Sequence, residues 1–213
     1  YALQAQELET WFFSSSDQGK TWSPPVSINP ASETGMLVTD LTVANNGTIY
    51  AVWHAKDTDI DNDIFFTHST DGGETWSPNL NIIPVADRAA NQVAPVVVVD
   101  PRDGRENMLY VAMRTYGVGV EHVQFISSSD GGSTWHSLIT FPYPPDSSIL
   151  KIEHLNMKMD SNGFLYLLFD ETSTDDTRTF FTRSSDGGNT WDMLKPITPS
   201  PYKDGAYCHV AYL

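Results

Sequence analysis

Apolar runs of about strand length recur along the chain, each bounded by Gly, Asn, Ser or Asp, and they fall into ordered sets. The most regular member is anchored by tyrosine: IYAVWH at Ile49, LYVAMR at Leu109 and LYLLFD at Leu165. Another apolar run precedes each of these (LVTDLTVA, APVVVVD, HLNMKMD), and an aromatic run follows it (DIFFTHST, VQFISSSD, RTFFTRSS). A short fourth run, such as PVSIN or NLNII, ends a set. NNG at Asn45 and SNG at Ser161 stand between first and second runs, where Asn and Gly tolerate the positive φ of a tight hairpin. No segment shows a helical stripe. The pattern predicts a succession of four-stranded antiparallel meanders.

After each third run comes a version of one octapeptide: SSDQGKTW at Ser15, STDGGETW at Ser69, SSDGGSTW at Ser128 and SSDGGNTW at Ser184. Its aspartates, Asp17, Asp71, Asp130 and Asp186, are spaced 54, 59 and 56 residues apart, a period that marks repeat architecture. Each Asp heads a tight turn and can accept bonds from backbone amides just ahead of it. The glycine supplies the left-handed backbone. Trp22, Trp76, Trp135 and Trp191 then lead into the fourth strand, with large apolar faces to set between strands or sheets. Four copies at one structural position read as a fastener, because catalysis needs unlike residues converging on one point. Sheets of this kind placed radially make an all-β propeller. The blade units fall at about 1–30, 36–84, 91–142 and 150–198 of a single domain spanning 1–213, with 205–213 as a first strand for the N-terminal blade. The chain opens with YALQAQ at the second-strand position and ends with YCHVAYL at the first. That complementarity favours a closed ring of four blades; the alternative is part of a six-bladed ring.

Charge narrows the partners. With 12 basic against 27 acidic residues the formal charge is −15, which repels phosphate backbones and anionic surfaces, so nucleic acid is not expected. No apolar run reaches the length needed to span a bilayer, so membrane insertion is not expected either. Cys208 is alone, and no internal disulfide can form.

The octapeptide, S-x-D-x-G-x-T-W between third and fourth strands, resembles the Asp-box (BNR) repeat of the sialidase superfamily, and the likeness covers essentially the whole chain. That family holds six-bladed sialidases, other glycoside hydrolases, sorting receptors and extracellular proteins, so the resemblance implies a propeller more firmly than an activity. It implies candidate catalytic residues by position: Tyr207 in AYCHVAYL for a tyrosine nucleophile, Glu153 in IEHLNMKMDSNG for its glutamate partner, and Arg114 in MLYVAMR for a carboxylate clamp. An arginine-isoleucine-proline segment, two further arginines in equivalent slots and the usual aspartic acid are not found.

Independently of the family, second strands end and first strands begin on one face of a propeller, where loops can build a pocket. In those slots the repeat varies, and His54, Asp170, His154 and His209 are candidate ligand-binding residues. DTDIDND places Asp57, Asp59, Asp61 and Asp63 on alternate positions, an oxygen-rich set that suits calcium; a solvated acidic loop is the other reading. No cofactor is required by either. The expectation is an extracellular or cell-surface recognition module directed at glycan and without catalysis, with a glycan or cell-surface protein as partner. A sialidase-like hydrolase and a scaffold domain of a larger surface protein or filament stand as alternatives.

Overall fold

In a computed structural model, residues 2–6, 9–29, 39–56, 61–117, 121–141, 151–173 and 177–198 are described. They form β1 (Ala2–Gln6), β2 (Glu9–Phe13) and β3 (Val26–Ser27); β4 (Thr39–Val43), β5 (Ile49–Lys56), β6 (Asn62–Ser69) and β7 (Leu80–Asn81); β8 (Asn91–Val99), β9 (Leu109–Tyr116), β10 (His122–Ser128) and β11 (Ile139–Thr140); and β12 (Lys151–Met159), β13 (Leu165–Thr172), β14 (Thr177–Ser184) and β15 (Lys195–Pro196). The only helical segment among these residues is a 3-10 turn, Val85–Asp87. Every pairing is antiparallel between neighbours in sequence, giving sheets β1-β2-β3, β4-β5-β6-β7, β8-β9-β10-β11 and β12-β13-β14-β15. The fold is the all-β propeller type that the repeat predicts. Residues 205–213, assigned by sequence to a closing strand, lie outside the described residues.

The second strands explain their own composition. β5 and β9 are buried along almost their whole length because a sheet covers each face, which favours apolar side chains in both alternating sets, and β13 is buried nearly as fully. First strands pack side by side: β8 lies along β4, β5 and β6 of the preceding sheet, and β12 lies along β8 and β9. At the innermost contact the Val97 amide donates to Asp40 Oδ2 at 2.9 Å. Burial pushes the Asp40 carboxyl above the ordinary carboxylate range, against the pull of the Val97 and Leu41 amides.

The octapeptide turns repeat one hydrogen-bond pattern. The serine hydroxyl donates to Asp Oδ1 at 2.7–2.8 Å and accepts from the amide of the second glycine at 2.8–2.9 Å. The threonine amide donates to Asp Oδ1 at 2.9 Å, and its hydroxyl donates to Asp Oδ2 at 2.5–2.6 Å. A carboxylate receiving three donors is stabilised in its charged form, and these bonds hold Asp17 and Asp130 at about 2 and lower Asp71 and Asp186 as well.

The same turns join sheet to sheet. Trp76 meets Phe12 of the preceding sheet edge-on with centroids 5.1 Å apart; Trp135 meets Phe66 at 5.3 Å, and Trp191 meets Phe125 at 5.2 Å. Each of these indoles donates from Nε1 to the carbonyl of its second glycine, Gly73, Gly132 or Gly188, at 3.1–3.2 Å. The phenylalanine ring lies so close over that glycine that a β-carbon there would overlap Phe12, Phe66 or Phe125. The first glycine of the turn meets no such constraint: Gly72 has open space around its α-carbon, and in the first copy Gln18 takes this position at φ 64°.

Gly132→Ala must displace Phe66 as well as adopt a strained φ, and should cost about 3 kcal/mol or more, whereas Gly72→Ala should cost only the left-handed penalty of about 1–2 kcal/mol; urea unfolding of the two variants checks this. A carboxyl whose folded-state pKa is depressed stabilises the fold above its ordinary value of 3.8, and that contribution is lost as pH falls towards about 2. Wild type should therefore exceed Asp130→Asn in stability at neutral pH, and the gap should close across that window in parallel acid titrations followed by tryptophan fluorescence.

Candidate functional site

The turns that carry the octapeptides crowd one end of the sheets; second strands end and first strands begin at the other, and there the repeat varies. The end residue of one second strand reaches the first strand of the following sheet. His54 Nδ1 accepts from the Ala94 amide at 3.4 Å, and Arg114 Nη1 donates to the Ile152 carbonyl at 2.8 Å. Glu121 completes the second of these contacts. Its Oε2 accepts from the Ile152 amide at 2.6 Å and lies 4.0 Å from Arg114 Nε, while the Arg114 guanidinium also stands 5.6 Å over the ring of Tyr116.

Asp170 occupies the equivalent slot of the last sheet and turns to partners of its own blade. It is fully buried; Oδ1 accepts from the Thr179 hydroxyl at 2.7 Å, and Oδ2 lies 3.1 Å from His154 Nδ1. The register places Thr179 and Glu153 directly across from Asp170 on its two neighbouring strands. His154 reaches the carboxylate because β12 bulges between Glu153 and Asn156, where His154 takes φ 49°, a left-handed backbone rare for a side chain of this size. Its side chain is 35% exposed above a partner that is 1% exposed. β8 bulges at the same place, between Val93 and Val96, and Ala94 has φ 50° there. β8 and β12 thus share the bulge, and among the described residues a histidine stands in it only in the last sheet.

Glu153 is half-buried on the same rim. Its hydrogen bond to Lys151, with the nearby His154 and Arg114, holds its carboxyl below the usual range, so it is ionised at neutral pH. Glu153, His154, Asp170 and Arg114 therefore come together where the third and fourth sheets meet. His54 lies at the preceding junction, buried. Tyr207 and His209 lie outside the described residues.

Of the acidic loop, Asp57 and Asp59 also lie outside the described residues. Asp61 Oδ1 accepts from Asn91 Nδ2 at 3.3 Å, and buried Asp63 accepts from Asn81 Nδ2 at 2.6 Å with Arg88 Nε 3.6 Å away. Among the described residues no group of three or more His, Cys, Asp or Glu side chains is placed to hold a metal. No helix among them is long and apolar enough to cross a membrane. Cavities of about 370 and 580 Å³ open beside Trp22 and beside Trp76, away from the His154 rim.

Sequence reasoning passed over Glu121 and Thr179. Thr179 was open to discovery as the cross-strand partner of Asp170, two residues before the Phe181 that aligns with Phe66 and Phe125. Glu121 carries no such signal, since it stands outside any strand, at the approach to β10.

A model of the BNR repeat-like domain matches residues 47–211. A xyloglucanase of a Paenibacillus species is 30% identical over 148 residues, which are 63% of this chain and 13% of that enzyme. Among solved structures, the Hadza microbial sialidase Hz136 superposes with a TM-score of 0.59 at 20% identity, over 73% of this chain and 36% of that one. The α-L-arabinanase of Penicillium chrysogenum, complexed with arabinobiose, does so with a TM-score of 0.59 at 14% identity, over 78% and 50%. At these identities the solved structures bear on the fold. The chain spans about an eighth of the length of its xyloglucanase relative.

His154→Gly relieves the left-handed φ by about 1 kcal/mol but leaves the buried Asp170 Oδ2 without its imidazole, which costs about 1–3 kcal/mol, so the unfolding free energy should fall by no more than about 2 kcal/mol. Asp170→Ala, which strands the buried Thr179 hydroxyl, should lower it by about 1–3 kcal/mol; denaturant titration reads both.

Proposed function

The chain belongs to the BNR repeat-like domain family, and from that premise we propose that it is a glycan-recognition module, working outside the cell or at its surface, which holds a neutral oligosaccharide without turning it over. The observation that carries this reading is the half-exposed His154, kept in a strained backbone and aimed by a fully buried carboxylate. The bulge is shared with β8; the histidine in it and the buried carboxylate that orients it are not. Around it stand an ionised Glu153, the Arg114 guanidinium and the Tyr116 ring, a mixture of donors, acceptors and an aromatic face that suits the hydroxyls and apolar faces of a sugar.

Two features support a neutral ligand over a sialoside. A carboxylate clamp needs a guanidinium fork free to bind bidentately, and Arg114 is engaged with the Ile152 carbonyl beside Glu121. The chain also carries a formal charge of −15, which opposes the approach of an anion. The xyloglucanase relative supports a xyloglucan-type ligand.

Calorimetric titration with a xyloglucan oligosaccharide and with 3′-sialyllactose tests the proposal. The neutral sugar should bind, His154→Gly should weaken it by about tenfold or more, and no reducing ends should be released. Arg114-dependent cleavage of the sialoside would replace this reading with the hydrolase one, and failure of any neutral glycan to bind would remove recognition at this rim.

A further inference from the structure

Side chains from β9 and from the approach to β10 hold both backbone groups of Ile152, two residues before His154. The Ile152 carbonyl accepts from Arg114 Nη1 at 2.8 Å, and its amide donates to Glu121 Oε2 at 2.6 Å. As a cap on the start of β12 this asks only for an oxygen at position 121, which a glutamine would also supply. The carboxylate adds a charge. Glu121 Oε2 lies 4.0 Å from Arg114 Nε, which is buried and has no hydrogen-bond partner among the described residues, so the two meet as neighbouring charges rather than through a bidentate fork. Their side chains are 23% and 19% exposed, which limits screening of the pair by salt. Lys151 stands beside Glu153 in the same way, and His154 beside Asp170. Each of these basic groups on the rim thus has a carboxylate of the protein next to it.

We propose that Glu121 is a specificity-determining residue of the rim, an internal carboxylate that matches the charge of Arg114 and so turns away glycans carrying a carboxylate of their own. The assignment rests on the reading of this rim as a glycan site and names the group that sets its preference for neutral sugar. A neutral sugar leaves the Arg114–Glu121 pair undisturbed. An acidic sugar must bring a second carboxylate to a guanidinium that already has one and crowd it against Glu121, which penalises the wrong ligand rather than rewarding the right one. Without the charge at position 121, Arg114 becomes an uncompensated guanidinium over the Tyr116 ring with its Nε open to a new acceptor, the kind of group that captures a carboxylate. Exclusion of acidic sugars therefore lies with Glu121 and not with the want of a cation.

A matched pair of ligands tests this: a xyloglucan oligosaccharide, and the same oligosaccharide oxidised at its primary hydroxyls to uronates. Both are titrated calorimetrically into wild type, Glu121→Gln and the double variant Glu121→Gln with Arg114→Gln. Wild type should bind the neutral form about tenfold or more tighter than the acidic one. In Glu121→Gln, whose amide oxygen still caps Ile152, that ratio should shrink by about tenfold or reverse, and the added Arg114 substitution should remove most of the gain. A ratio that Glu121→Gln leaves in place is what a capping role alone would give, and it overturns the inference. So does a gain that persists without Arg114, or a wild type that takes both forms alike. If wild type binds neither form and Glu121→Gln binds the acidic one, the assignment stands and recognition of neutral glycan falls; binding of neither form by any of the three removes both. Should Glu121→Gln lose its circular-dichroism spectrum, Glu121→Ala takes its place with the same expected change in ratio.

Discussion

A tryptophan edge laid on a phenylalanine ring, with a glycine beneath that lets the ring in, holds each sheet to the next. Everything else in the arrangement presupposes that contact. A four-stranded meander has two apolar faces and cannot bury either alone; burial of β5 and β9 along almost their full length requires a sheet on both sides. The octapeptide gives that requirement a fixed geometry. Its aspartate and serine bonds set the turn, the turn places the second glycine, and the glycine decides how near the neighbouring ring can come. The difference between the two glycines follows: one needs only a positive φ, which Gln18 can supply at a cost, and the other needs the missing β-carbon.

Fastening at one end leaves the other free to vary. His54 and Arg114 occupy equivalent slots and both bridge to the following sheet, yet one accepts from a backbone amide and the other donates to a carbonyl. The backbone there is held by the sheets rather than by these side chains, so their chemistry can change without moving the strands. Function is expected at such positions for the same reason that loops carry it.

The fold was legible because its determinants are local. An octapeptide closes on itself with bonds to residues no more than four positions apart, and its copies are nearly identical, so four turns and their period could be read directly. The partner of each tryptophan was not legible from the octapeptide, since Phe12 lies 64 residues before Trp76; only the matching phenylalanine period pointed to it. Glu153, His154 and Asp170 stood out as variation in repeated slots. What held them together did not, because the bulge in β12 shifts the register by a residue and turns His154 towards Asp170. Within DTDIDND, of which Asp57 and Asp59 lie outside the described residues, Asp63 belongs to β6 and faces Asn81 and Arg88, from a neighbouring strand and the turn beyond it, while Asp61 faces Asn91. Alternation along a chain is no guide to what approaches it from other strands.

The bulge shared by β8 and β12 gives the clearest separation of structural need from particular use. Both strands step out of register at the same point, with nearly the same φ at Ala94 and His154, so the irregularity belongs to the architecture and must be tolerated by whichever residue stands there. Glycine would meet it at least cost. Alanine meets it in β8 with its amide turned to His54, a contact made by backbone and therefore available to almost any residue. In β12 the larger imidazole takes the same strained position, and the interior commits Asp170 and the Thr179 hydroxyl to orienting it. A buried carboxylate so arranged lends little to the strand that the bulge in β8 does not achieve without one. On the proposed reading the arrangement serves what His154 presents to the solvent side.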